Sequence, residues 1–266
     1  MATPVLATAV SPTRIQKSEM VVVSLLCLIG SMGAGVYLTP LRGWLVVALL
    51  MVLYLFFLGR WISGRPLGIL VNERNLMSLS RFQMISWTVL VLSAFFSIAL
   101  RRLHVLSLDP AASPLNISMD WHLWALMGIS ATSLVGSPLI LSTKANQAPT
   151  SKTIDKAAEA LNEPAADIQK NSQGALYSNP HIGDASLIDM FQGDEIGNTA
   201  YVDIAKVQMF YFTVVAIVAY GYALYSGMTN IYAQKEFVMP VPSDALVGLL
   251  GISHAAYLTN KTTQHS

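Results

Sequence analysis

Apolar and polar positions alternate along this chain in long blocks rather than with the short periods of a soluble domain. Six nearly uncharged apolar runs stand out, at 20–38, 43–58, 82–100, 121–141, 207–225 and 242–258. Each is close to the roughly 17 to 25 residues that carry a helix across the hydrocarbon layer of a membrane. Charges bracket them: Arg42, Arg60, Arg81, Arg101, Arg102 and Lys206 fall at run ends. The last run is short and interrupted by Ser243, Asp244, Ser253 and His254, so a re-entrant or interfacial helix is the alternative there. The expected fold class is therefore an all-α membrane protein with about six transmembrane helices.

Composition supports that reading. Of the 266 residues 53% are apolar and only 12% charged, about half the charge density of a soluble domain. With both ends placed inside, twelve of the sixteen Lys and Arg residues fall in inner segments and four in outer ones. The positive-inside bias then places both termini in the cytoplasm. The polar start, with Pro4, Pro12, Arg14 and Lys17, resembles a signal peptide, but the run behind it is longer than a signal core and a second run follows at once. It reads as a retained anchor. The expected organisation is a tail (1–19), a hairpin (20–61), a loop with a second hairpin (62–141), a polar insert (142–206), a third hairpin (207–260) and a C-terminal tail (261–266).

Two of these hairpins share sequence. Arg81-Phe-Gln83-Met84 with Trp87-Thr88-Val89 matches Lys206-Val-Gln208-Met209 with Phe212-Thr213-Val214, and Leu126-Met-Gly128-Ile-Ser130 matches Leu249-Leu-Gly251-Ile-Ser253. Order and orientation are kept, which predicts two parallel copies of a helical hairpin. Small residues spaced by four, Gly128, Thr132 and Gly136 with their counterparts Gly251, Ala255 and Thr259, predict helix-packing faces. Gln83 and Gln208 are expected to bond between helices. A polar path along Gln83, Gln208, Ser130, Ser253 and His254 is the alternative use of the same residues.

No span core contains Asp, Glu, Lys or Arg, so ion-coupled transport has little chemistry to draw on. The single cysteine, Cys27, permits no disulfide within the chain, and no phosphate loop, zinc motif or nucleophile elbow is present. No catalytic residue, metal or cofactor is expected. His254 is the one weak candidate for a pigment or haem ligand.

The 142–206 insert holds nine of the fifteen acidic residues. A short helix is expected over 153–161, stopped by Asn162-Glu-Pro164. Beyond it, Leu187, Ile188, Asp189, Met190 and Phe191, followed by Asp194 and Glu195, mix apolar and acidic side chains. Such a stretch has to dock, either onto a partner protein or onto this chain's own loops with Arg60, Arg65, Arg74 and Arg81 as charge partners. The run from Asp189 to Met209, with the two Gly-Ile-Ser helices, resembles an uncharacterised group of bacterial polytopic membrane proteins with a duplicated hairpin. That resemblance implies a bacterial inner membrane and carries over no activity. The sequence thus points to a non-enzymatic membrane subunit or anchor in a homo- or hetero-oligomer, with no nucleic acid. A channel or facilitator and a pigment- or haem-binding subunit are the alternatives.

Overall fold

The computed structural model describes residues 14–106, 117–229 and 239–264. Pro4, Pro12, Tyr232, Lys235 and His265 lie outside them. Among the described residues there are eight α-helices and no β-strand, only isolated bridges. The helices are α1 (Arg14–Tyr37), α2 (Pro40–Ser63), α3 (Leu79–Leu106), α4 (Trp121–Lys144), α5 (Ser151–Leu161), α6 (Ala165–Asn171), α7 (Ile204–Thr229) and α8 (Asp244–Thr262).

Five of them, α1, α2, α3, α4 and α7, contain stretches long and apolar enough to cross a membrane. This is the architecture of a membrane-embedded protein. The sixth run does form a helix, α8, but it falls outside that set because Ser253, His254, Asn260 and its charged ends dilute its apolar residues.

Helix ends follow local chemistry. Pro40 starts α2, where its missing N–H costs nothing, and Gly64 closes it in the left-handed region. Side chains of Asp120, Thr150 and Ser243 accept backbone N–H bonds at the starts of α4, α5 and α8. Asn162, also left-handed, ends α5 ahead of Pro164, as the sequence indicates.

Half of the α3 span is buried within the protein, against 11% of α2, so α3 is the central helix. It packs on α1, α2, α4 and α7. Gly35 lets α1 come close, since a Cβ there would sit 2.7 Å from Leu100. Trp44 of α2 donates from Nε1 to Ser93 Oγ at 3.0 Å. The central helix also lies on α7, and α4 lies on α8. Three apolar clusters result. One fills the bundle around Trp87, Leu126, Tyr220 and Leu250. A second joins helix ends to the insert through Leu79, Met190, Met209 and Tyr257. The third, with Ile154, Ile168 and Ile196, is the insert's core, completed by Leu76 from the loop before α3.

Candidate functional site

The insert meets the helix ends at Asp194. Its Oδ1 lies 2.5 Å from Arg74 Nη2 and its Oδ2 lies 3.0 Å from Lys206 Nζ, while Lys261 donates to the same Oδ2. Those cations come from the loop before α3, the start of α7 and the end of α8. All are deeply buried, with side-chain exposures of 8%, 6% and 4%. Arg74 also donates to the Tyr177 and Asp194 carbonyls, and Lys206 to the Gln192 carbonyl. Burial works against charge on Asp194, but Lys206, Lys261 and Arg74 outweigh it and hold the carboxyl well below the usual range.

A second buried pair flanks the first: Lys144 Nζ lies 2.5 Å from Glu195 Oε1 and donates to the Thr263 carbonyl at 2.6 Å. It ties the end of α4 to the insert and to the chain just past α8. Asp189 accepts N–H bonds from Met77 and Ser186. Burial pushes its carboxyl above the ordinary value, against the pull of those bonds. Arg65 donates to the Ile182 and Ala185 carbonyls, and Arg81 pairs with Glu73 at the edge. The acidic stretch therefore docks on its own chain. Of the four arginines expected as partners, Arg74 takes a carboxylate of the insert, Arg65 takes its carbonyls, Arg81 pairs elsewhere and Arg60 is exposed.

Placement narrows the expected docking surface. Asp189, Met190 and Glu195 are buried, Asp194 is bound in the cluster, and Phe191 packs edge-on against Phe210 at 5.1 Å between ring centres. Only Leu187 and Ile188, at 55% and 70% exposure, still face outward.

The expected helix-packing stripes fall beside the α4 to α8 seam rather than in it. A Cβ on Gly128 would meet nothing, and Thr132, Ala255 and Thr259 are exposed. A Cβ on Gly136 or Gly251 would meet Leu258 or Ile129 only at ordinary contact distance. The seam itself is polar: Ser130, Ser133 and Ser137 of α4 face Ser253, His254 and Tyr257 of α8, all buried. Ser133 Oγ is 2.6 Å from His254 Nδ1, so the weak cofactor candidate is engaged by a hydroxyl. Tyr257 Oη bonds Ser137 at 3.3 Å and Ser80 at 3.2 Å. His122 bonds both Asp120 and Asp244 at the far end of the seam. Gln83 donates to Thr213 at 2.5 Å between α3 and α7, but its matched residue Gln208 is exposed. The two matched strings therefore sit in different surroundings.

Replacing Tyr257 with phenylalanine is expected to remove both hydroxyl contacts and lower stability by about 1 kcal/mol. A small downward shift of thermal unfolding in detergent would register it; no shift would mean that the hydroxyl contributes nothing to the seam.

A cavity of about 620 Å³ lies against the ion cluster, bounded by the start of α3, the ends of α4 and α8 and the insert. Lys206, Lys261 and Arg74 reach its wall beside Asp194, and Leu134 and Pro138 form an apolar part. No single sequence signal marks this site, because its members are spread from residue 74 to 261. Comparison of the chain with family models, with curated proteins and with solved structures finds no match.

Proposed function

We propose that this is a non-enzymatic, six-span protein of a bacterial inner membrane, serving as a subunit or anchor of a larger assembly and presenting residues 142–206 as a fixed cytoplasmic platform. The observation that carries this reading is the buried clamp of Asp194 and Glu195 on four cations from the loop before α3 and from α4, α7 and α8. A clamp of this kind holds the platform in one orientation to the helices, as a docking surface requires. The Lys and Arg count by loop supports placing it in the cytoplasm.

The sixth span in this reading is α8. It runs beside α4 from the Asp244 contact with His122 to the Thr263 carbonyl held by Lys144. Its Ser253, His254 and Tyr257 turn to α4 while Leu249, Ile252, Ala255 and Ala256 face outward. A helix so arranged presents an apolar face to lipid although its polar residues and charged ends lower its average. The packing of α3 on α7 and α4 on α8 supports reading the hairpins as parallel copies.

The platform's outward apolar pair is the natural contact for a partner. Changing Leu187 and Ile188 together to serine, which leaves the ion cluster untouched, is expected to abolish co-purification of the native-membrane partners. An unchanged set of co-purifying proteins would overturn the docking assignment.

The polar seam favours a second reading, a conduit for a small solute or proton. Against it, Leu123, Leu126 and Leu250 form a fully buried apolar layer between His254 and the far-end His122. Purified protein in liposomes is expected to show no flux of protons or common ions, and flux abolished by His254→Phe would reverse the order of the two readings.

A further inference from the structure

The charge in the clamp is unequal. Arg74, Lys206 and Lys261 converge on Asp194, and Asp189, the other carboxylate of the inner wall, already accepts from two backbone N–H groups; Glu73 lines the rim, where it pairs with Arg81. Counting both carboxylates as ionised, the inner wall still carries one positive charge in excess. Uncompensated buried charge is costly, by an amount that a bound anion can offset. Lys261 has donor capacity to spare: its Nζ bonds Asp194 and lies 4.7 Å over the Tyr257 ring, and an ammonium offers three donors.

The cavity also has two chemistries. Its floor holds the lysines, whereas its side between α3 and α4 is lined by Met84, Ile85, Leu134 and Pro138. Pro138 and Ser142 at that side are exposed, so the cavity opens laterally between two apolar helices as well as lying beside the insert. Arg81 stands at the rim, its side chain one-third exposed. Cationic floor and apolar side door are what an anionic amphiphile needs, with its phosphate on the lysines and its chain along α3 and α4.

We propose that this cavity is a binding site for a phosphate-bearing ligand, held by Lys261 and Lys206 within and Arg81 at the rim. The shared chemistry is the phosphate group; an anionic phospholipid entering from the side is the source the lateral opening favours, and a free phosphate is the other. The site is independent of whether the platform docks a partner, so failure of either leaves the other standing.

The test uses the full chain in detergent, with phosphatidylglycerol and phosphatidylcholine followed by native mass spectrometry and inorganic phosphate by titration calorimetry. Phosphatidylglycerol is expected to bind once per chain and phosphatidylcholine not at all. Lys261→Gln, which keeps a donor for Asp194 but removes the charge, is expected to weaken binding about tenfold, as loss of one charge-assisted hydrogen bond does. Ser142→Phe, away from the ion cluster, narrows the lateral mouth and is expected to reduce phospholipid binding alone. Inorganic phosphate bound in place of phospholipid, and weakened by Lys261→Gln but not by Ser142→Phe, assigns the free source. Absence of binding by either probe, or binding that Lys261→Gln leaves unchanged, overturns the site. Should Lys261→Gln not fold, Ser142→Phe decides: phospholipid binding equal to the parent's, without phosphate binding, overturns it equally.

Discussion

Asp194→Ala is expected to release the insert from the helices, with a loss of about 3–5 kcal/mol, the usual cost of removing one partner from a buried ion pair. The cost should fall at the upper end because three cations, not one, lose their carboxylate. Two of them are lysines that can shed protons, whereas Arg74 stays charged and buried among carbonyls. Limited proteolysis of the purified protein should then cut within 142–206 under conditions where the parent resists. An insert equally resistant in the variant would show that the clamp does not hold it. The pH dependence has a definite sign. The folded carboxyl lies below its ordinary value, so its contribution is fully present above about pH 4 and is lost only as pH falls through the still lower folded value. Acid weakening of the clamp should therefore start in the range where exposed carboxylates titrate and be complete only well below it.

The second large effect belongs to Lys144 and Glu195. Lys144→Met alone removes the ammonium 2.5 Å from the buried Glu195 carboxylate, which is 2% exposed, and a loss of about 3–5 kcal/mol is expected. Adding Glu195→Met should restore much of that loss, because a buried ion pair is often replaceable by apolar residues of similar volume. Recovery should be incomplete, since Lys144 also holds the Thr263 carbonyl. Unfolding of both singles and the double in detergent closes the cycle, and strictly additive losses would mean that the two side chains do not act as a pair. The same compensation is not open to Asp194, where one apolar change would have to be matched at three basic positions.

Much of this architecture is legible in the chain itself. The apolar runs at 82–100, 121–141 and 207–225 sit inside α3, α4 and α7 and differ from them by a few residues at the ends. The ends differ because the polar residues just outside each run, such as Ser80 and Lys206, continue the helix after the apolar signal stops. The helix expected over 153–161 ends where Asn162-Glu-Pro164 indicates and begins two residues earlier, where the Thr150 side chain caps it. What is not legible is which face of each helix is buried. Gly128 and Thr132 look like a packing face, yet Ser130, Ser133 and Ser137, offset by one or two residues, occupy the seam. Likewise Tyr211 and Tyr222 face outward, whereas Tyr220 between them is buried.

By itself, then, the sequence determined the solvent, the span limits and the place of the polar insert, because hydropathy and charge are properties of each residue along the chain. The tertiary structure alone decided the buried faces and the partners of Asp194 and Glu195. The physical reason is that lipid and protein interior are both apolar. An amphipathic period that marks the inner face of a helix in water is therefore weak here, and orientation is set by matched polar groups on other helices. Those matches join residues as far apart as Arg74, Asp194 and Lys261, and no local pattern encodes them.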